Sequence, residues 1–234
     1  MTRRRADAAT AGAGAVVFVH GLWFTGHEAF WLRRHLAREL GTRDVNFPYR
    51  SVVAPLADSA AALGAFIAGL DAEPVHLVGH SLGGIVILKL FERDPPPRLP
   101  PGRVVLLGSP IQGSRAAKGL ARWALGRKIL GRAIAEGVLA AGPRVWHGTR
   151  DLGIIAGRTP GGPGRLVARL EPPNDGVVQV AETELPGARA HLVLDVRHSG
   201  MLFSQAVVAQ TAAFLRAGKF LATPQPPPSS RRSR

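Results

Sequence analysis

Val75-His76-Leu77-Val78-Gly79-His80-Ser81-Leu82-Gly83-Gly84-Ile85-Val86-Ile87-Leu88-Lys89-Leu90 is the stretch on which the reading of this chain turns. An apolar run of strand length ends in Gly-x-Ser-x-Gly, and a second apolar run starts directly after it. Strand, tight turn and helix in that order make the serine an elbow, where the backbone reverses so sharply that the serine is strained. Side chains two places before and two places after it would collide, and Gly79 and Gly83 remove them. Gly84 lets the helix pack close to the sheet. Ser81 Oγ is then expected to stand proud of the sheet, above the positive end of a helix. The plainer alternative is a tight turn whose serine only caps the helix.

The same alternation extends on both sides. Ala15 to Val19 is a short buried-strand run that ends at His20-Gly21. Residues 28–40 read as a helix, with Phe30, Trp31, Leu36 and Leu40 on one side and Arg33, Arg34 and Arg38 on the other. Val45 to Phe47 is a weak strand, and residues 57–70 form an Ala-rich helix. The helix after the elbow covers residues 82–93, the Pro-rich segment 94–101 ends it, and Arg103 to Leu107 is another buried strand. This order predicts a mostly parallel sheet with helices on both faces, with the reactive site at the carboxyl ends of its strands. Residues 115–140 break the alternation as one or two basic, amphipathic helices. Arg144 to Trp146 is the next strand candidate. Residues 157–164 form a Gly/Pro loop, a strand follows at 190–196, and a last helix covers about 201–216.

Composition sets outer limits. The chain has 234 residues, 46% of them hydrophobic, which suits one domain with a real core. The expected boundaries are a disordered basic arm at 1–14, a folded domain at 15–220 and a disordered Pro/Ser/Arg tail at 221–234. No apolar stretch has the roughly 20 residues of a membrane-spanning helix. The Arg-rich start is followed by Ala, Gly and Asp7 rather than a long apolar run, so the expectation is cytoplasmic, with export left open. With no Cys, neither disulfides nor thiol chemistry is available. Net charge is +14, but much of it lies in the two tails, and a single Tyr argues against a base-stacking platform. Nucleic acid is therefore not the expected partner.

A serine hydroxyl needs a base to take its proton, and the base needs an acid to hold its tautomer. Of eight His, His198 has the best position. It follows the buried run Leu192 to Val196 and precedes the last helix, so it sits on a loop at the carboxyl end of a late strand. The acid should fall between Ser81 and His198 in the chain order of an elbow serine. Asp151, in Gly148-Thr149-Arg150-Asp151, and Asp175, in the turn Asn174-Asp175-Gly176, both qualify, and local sequence does not choose between them. An oxyanion requires two backbone N–H donors. Leu82 supplies one, and Leu22, in the loop after the first strand, is the choice for the other. Trp23 and Phe24, next along that loop, are candidates to line a substrate groove, the plainer alternative being core packing, as for most aromatics that follow a strand. No acidic cluster makes a convincing metal cage, and no cofactor is expected.

Val17-Phe18-Val19-His20-Gly21, Gly79 to Gly84, Asn174-Asp175-Gly176-Val177-Val178 and Arg197-His198-Ser199-Gly200-Met201 together resemble the α/β-hydrolase superfamily. More narrowly, they look like small bacterial lipases and esterases with a minimal cap. The resemblance covers about residues 15–216. It implies a serine carboxyl-ester hydrolase acting through an acyl-enzyme on Ser81, with a small ester or lipid as substrate. It also implies that Asp175 is the acid, because an Asp-Gly turn followed by valines carries it a short step before the histidine. The 115–140 insertion is then a lid that covers an acyl pocket or rests on an anionic membrane surface, or else ordinary helices on the sheet. An acyltransferase or thioesterase with the same triad, and a non-catalytic protein that binds lipid or a partner, are the alternatives.

Overall fold

A computed structural model describes residues 14–93, 98–139, 142–161 and 169–222. Residues 1–13 of the expected arm and 223–234 of the expected tail lie outside them. Six strands form one sheet in the order β2-β1-β3-β4-β5-β6, and every neighbouring pair is parallel. The strands are β1 (Ala15–Val19), β2 (Arg43–Phe47), β3 (Val75–His80), β4 (Val104–Leu107), β5 (Leu152–Gly157) and β6 (Ala190–Leu194). The four inner strands are buried along their whole length, which is why β1, β3 and β4 read as apolar runs.

Two layers of helix enclose the sheet. On one face α2 (Leu56–Ala68) and α3 (Leu82–Phe91) pack over Val17, Leu77 and Leu106. On the other, α1 (Phe30–Leu40) and α6 (Gln205–Ala217) pack over Phe18, Val78 and Val105. Phe18 and Phe214 are both fully buried in this second layer. A large apolar side chain taken out of water in this way contributes about 1.5–3 kcal/mol. Between β4 and β5 the chain makes α4 (Arg115–Ala121) and α5 (Ala124–Ile134), continued by a π-helical turn at Ala135–Leu139. Two helices are therefore present in the segment read as one or two, though α5 breaks at Gly131, whose φ is 72°. A Cβ at Gly131 would lie 2.1 Å from the Val52 carbonyl oxygen, so the break lets the chain lie against that loop.

One strand differs from the sequence expectation. Residues 144–146 are not a strand; they run in a loop where the Trp146 amide donates to Pro186 O and the Trp146 indole to Arg150 O. The strand is Leu152–Gly157 instead. Its two glycines make it a poor strand on propensity, but Gly153 lies where a Cβ would come within 2.9 Å of the Phe214 ring. The last helix also starts later than expected. Ser199–Phe203 is a 3-10 turn, and α6 begins after Ser204, whose hydroxyl accepts from the Val207 amide.

Candidate active site

The turn between β3 and α3 has the strained geometry that the glycine spacing implies. Ser81 has φ 53° and ψ −121°, and among the described residues Trp23 is the only other non-glycine with positive φ. Such a backbone costs about 1–3 kcal/mol and persists only where neighbours fix it. Here the Ser81 amide donates to Leu107 O (2.9 Å) and its carbonyl accepts from the Gly84 amide (3.1 Å). The glycines are needed for close approach. A Cβ on Gly79 would sit 2.7 Å from the Gly84 backbone, and one on Gly83 would sit 2.0 Å from Val19 O at the end of β1.

Asp175 and His198 meet at the same sheet edge. His198 Nδ1 donates to Asp175 Oδ2 at 2.7 Å, and the His198 amide donates to the Asp175 carbonyl at 3.0 Å. Asp175 is 1% exposed. Its second oxygen accepts from the amides of Val177 (2.9 Å) and Val178 (2.7 Å), so the buried carboxylate is fully partnered. With its proton held on Nδ1, the imidazole keeps a lone pair on Nε2. Asp151 is elsewhere. It precedes β5, at the amino end of the strand, and pairs with Arg103 (3.1 Å) and Arg189 (3.3 Å).

Ser81, His198, Leu22, Trp23 and Phe24 all border one cavity of about 400 Å³. Its far wall is apolar and comes from the inserted helices, through Ala117, Leu120, Leu130 and Ile134, with Val138 just beyond. Val177 and Val178 close it beside the Asp175 turn. No hydrogen bond joins Ser81 to His198; contacts of this type often tighten only when substrate is held. The Trp23 amide donates to Ser51 Oγ (3.1 Å), whereas the Leu22 amide has no partner among the described residues. Leu82 opens α3, where an amide has no intrahelical acceptor. Gly21 brings these two segments together, since a Cβ there would lie 3.3 Å from Ser81 Cβ.

Several residues at the site escaped the sequence reading. Gly108 and Gly157, at the ends of β4 and β5, leave room for the Asp175–His198 contact. A Cβ on Gly108 would lie 3.2 Å from both Asp175 Oδ2 and His198 Nδ1, and one on Gly157 would lie 2.8 Å from Asp175 Cβ. A glycine closing each apolar run was the available signal. Tyr49 donates its hydroxyl to His20 O (2.8 Å) and stacks on the His20 ring, which steadies the loop that carries Leu22. His80 Nε2 donates to His198 O (3.3 Å), and the two rings lie 4.8 Å apart. Burial, reinforced by the nearby His198, pushes the His80 pKa down to about 3. Burial also lowers that of His20. Both rings are therefore neutral near pH 7. Among the described residues, no group of three or more His, Asp or Glu is placed to hold a metal ion.

The sequence profile of the Alpha/beta hydrolase family matches residues 16–214. The chain belongs to that family. Solved structures agree on the fold of this α/β-hydrolase. The mature lipase BlEst2 of Bacillus licheniformis superposes with a TM-score of 0.63 at 19% identity, over 90% of this chain and 93% of that one. Carboxylesterase CesB of Bacillus subtilis does so with a TM-score of 0.54 at 16% identity, over 89% and 85%. A Vlm2 thioesterase domain gives 0.50 at 14% identity, over 91% and 96%. At these identities the likeness is one of fold. No curated protein is detectably similar to the α/β-hydrolase in sequence.

Proposed function

We propose that this α/β-hydrolase is a serine carboxyl-ester hydrolase acting on small ester or lipid substrates. The observation that carries the reading is the 2.7 Å contact between His198 Nδ1 and buried Asp175, made on the wall of the same apolar cavity that Ser81 borders. In this reading Ser81 Oγ attacks the ester carbonyl carbon while His198 Nε2 takes its proton. The carbonyl oxygen becomes an oxyanion held by the amides of Leu22 and Leu82. His198 then gives the proton to the departing alcohol oxygen, which leaves an acyl-enzyme. Water loses a proton to His198 and attacks the acyl carbon; the bond from that carbon to Ser81 Oγ then breaks, His198 returns the proton to Oγ, and the acid departs. Asp175 keeps the imidazole in the required tautomer and stabilises it when charged. Trp23 and Phe24 line the entrance, and the walls from α4 and α5 take the acyl chain.

Turnover of p-nitrophenyl esters tests this directly. Ser81→Ala is expected to keep its thermal melt and lose turnover, and undiminished turnover in the purified variant rejects Ser81 as nucleophile. The apolar wall supports esters of uncharged acyl groups over charged ones, which a panel of graded chain length reads out.

A further inference from the structure

The helical segment that walls the cavity through Leu120 and Leu130 also carries large apolar side chains that the fold leaves in water. Trp123, at the corner between α4 and α5, is 70% exposed, and Leu125 on the next turn is 68% exposed. Ile129 follows one turn later, also exposed. Its carbonyl accepts the indole N–H of Trp23 (3.0 Å), which is 57% exposed and borders the cavity. Ile129 thus adjoins the entrance. Large apolar side chains left exposed together in one short segment mark an interaction site.

The same helices have one sign of charge. From Arg115 to Ala135 the sequence holds Arg115, Lys118, Arg122, Arg127, Lys128 and Arg132 and no carboxylate. Lys118, Arg122 and Lys128 are exposed and make no ion pair among the described residues. Two copies meeting through this face would set like charges together. Exposed Leu and Ile side chains have nothing to gain from nucleic acid. Tryptophan at a boundary, aliphatic side chains beyond it and cations alongside are what a negatively charged lipid surface accommodates.

We propose that this face docks on an anionic bilayer. Trp123, Leu125 and Ile129 enter the headgroup boundary, and Lys118, Arg122 and Lys128 meet the lipid phosphates. The cavity then opens onto the membrane and takes its ester substrate from there. That last step rests on the hydrolase reading; the docking does not.

Sedimentation of the full chain with vesicles tests the docking. One set is phosphatidylcholine, the other phosphatidylcholine with about one-third phosphatidylglycerol. Binding is expected to favour the anionic vesicles, to weaken at high salt and to shift tryptophan emission to the blue. Each cation contributes about fivefold in partitioning, so changing Lys118, Arg122 and Lys128 together to Gln is expected to lower it roughly a hundredfold. Trp123→Ser and Leu125→Ser are expected to weaken binding and leave turnover of a soluble short-chain ester unchanged. Equal binding to both vesicle types overturns the proposal. So does loss of binding on changing Arg3, Arg4, Arg5, Arg231, Arg232 and Arg234 to Gln while the triple variant still binds, or a change only in self-association of the cap variants. An active esterase that ignores vesicles defeats the docking alone. A chain that binds vesicles with an unreactive Ser81 defeats the hydrolase reading alone.

Discussion

Asp151 and Asp175 are the same residue type in similar-looking turns, and the fold treats them differently. Asp175 is buried, accepts two amides and holds His198 (2.7 Å). Asp151 is partly exposed between two arginines at the other edge of the sheet. Asp175→Asn removes the charge and unsettles the imidazole tautomer, so kcat for a p-nitrophenyl ester is expected to fall about a thousandfold to ten-thousandfold. Asp151→Asn is expected to leave kcat within about twofold and to lower stability by less than about 1 kcal/mol, the range of an exposed ion pair. Steady-state rates and urea melts of the two variants check both. From the sequence the strained turn at Ser81 and the place of His198 beyond a late strand were readable, because elbow spacing and a histidine after a late apolar run are local patterns. The acid was open on residues alone, since what separates the two aspartates is which end of a strand each occupies. The resemblance to known hydrolases favoured Asp175, and the contact with His198 now supports it.

At the scale of elements, the turn from β3 to α3 was legible because its glycines answer local crowding. β5 was not legible, because Leu152-Gly153-Ile154-Ile155-Ala156-Gly157 is weak as a strand on its own. What fixes it is distant: the Phe214 ring against Gly153 and Asp175 against Gly157. Val145 and Trp146 gave the opposite error, for Trp146 is buried by packing on Phe91 within a loop. Two substitutions probe these packings. Gly83→Ala places a methyl 2.0 Å from a backbone oxygen of β1 and is expected to destabilise the chain by about 3 kcal/mol or more in urea unfolding. Ala117→Trp fills the cavity from α4. It is expected to lower kcat/KM for long-chain esters by about fourfold per excluded methylene and to spare the acetate ester. Equal loss on both esters would separate Ala117 from the acyl site.

The whole molecule keeps three histidines neutral inside it. His76 is pushed down to about 4 by burial and by Arg103 and Arg150, and His80 to about 3 by burial and His198. His20 is lowered as well. Unfolded, each takes a proton near its ordinary 6.5. The unfolded chain therefore binds more protons between pH 6.5 and about 4, and stability falls as pH drops through that window. His76 and His80 each contribute about 1.4 kcal/mol per pH unit there. Glu182, raised by burial, opposes this just above its ordinary value of 4.5. Chemical denaturation at a series of pH values is expected to give a plateau above pH 6.5 and a decline below it. A flat profile from 7 to 4 would mean that these rings are open to solvent. The sheet order, with the elbow on a central strand and the late strands beside it, brings residues 22, 81, 175 and 198 to one edge.

Labelling with a fluorophosphonate, followed by mapping of the modified peptide, tests the activation of Ser81 most directly. The expected result is one covalent adduct on Ser81 of the folded chain, lost in Ser81→Ala and slowed at least about a hundredfold in His198→Ala. A folded chain that takes no label, or labels as fast without the imidazole, contradicts it.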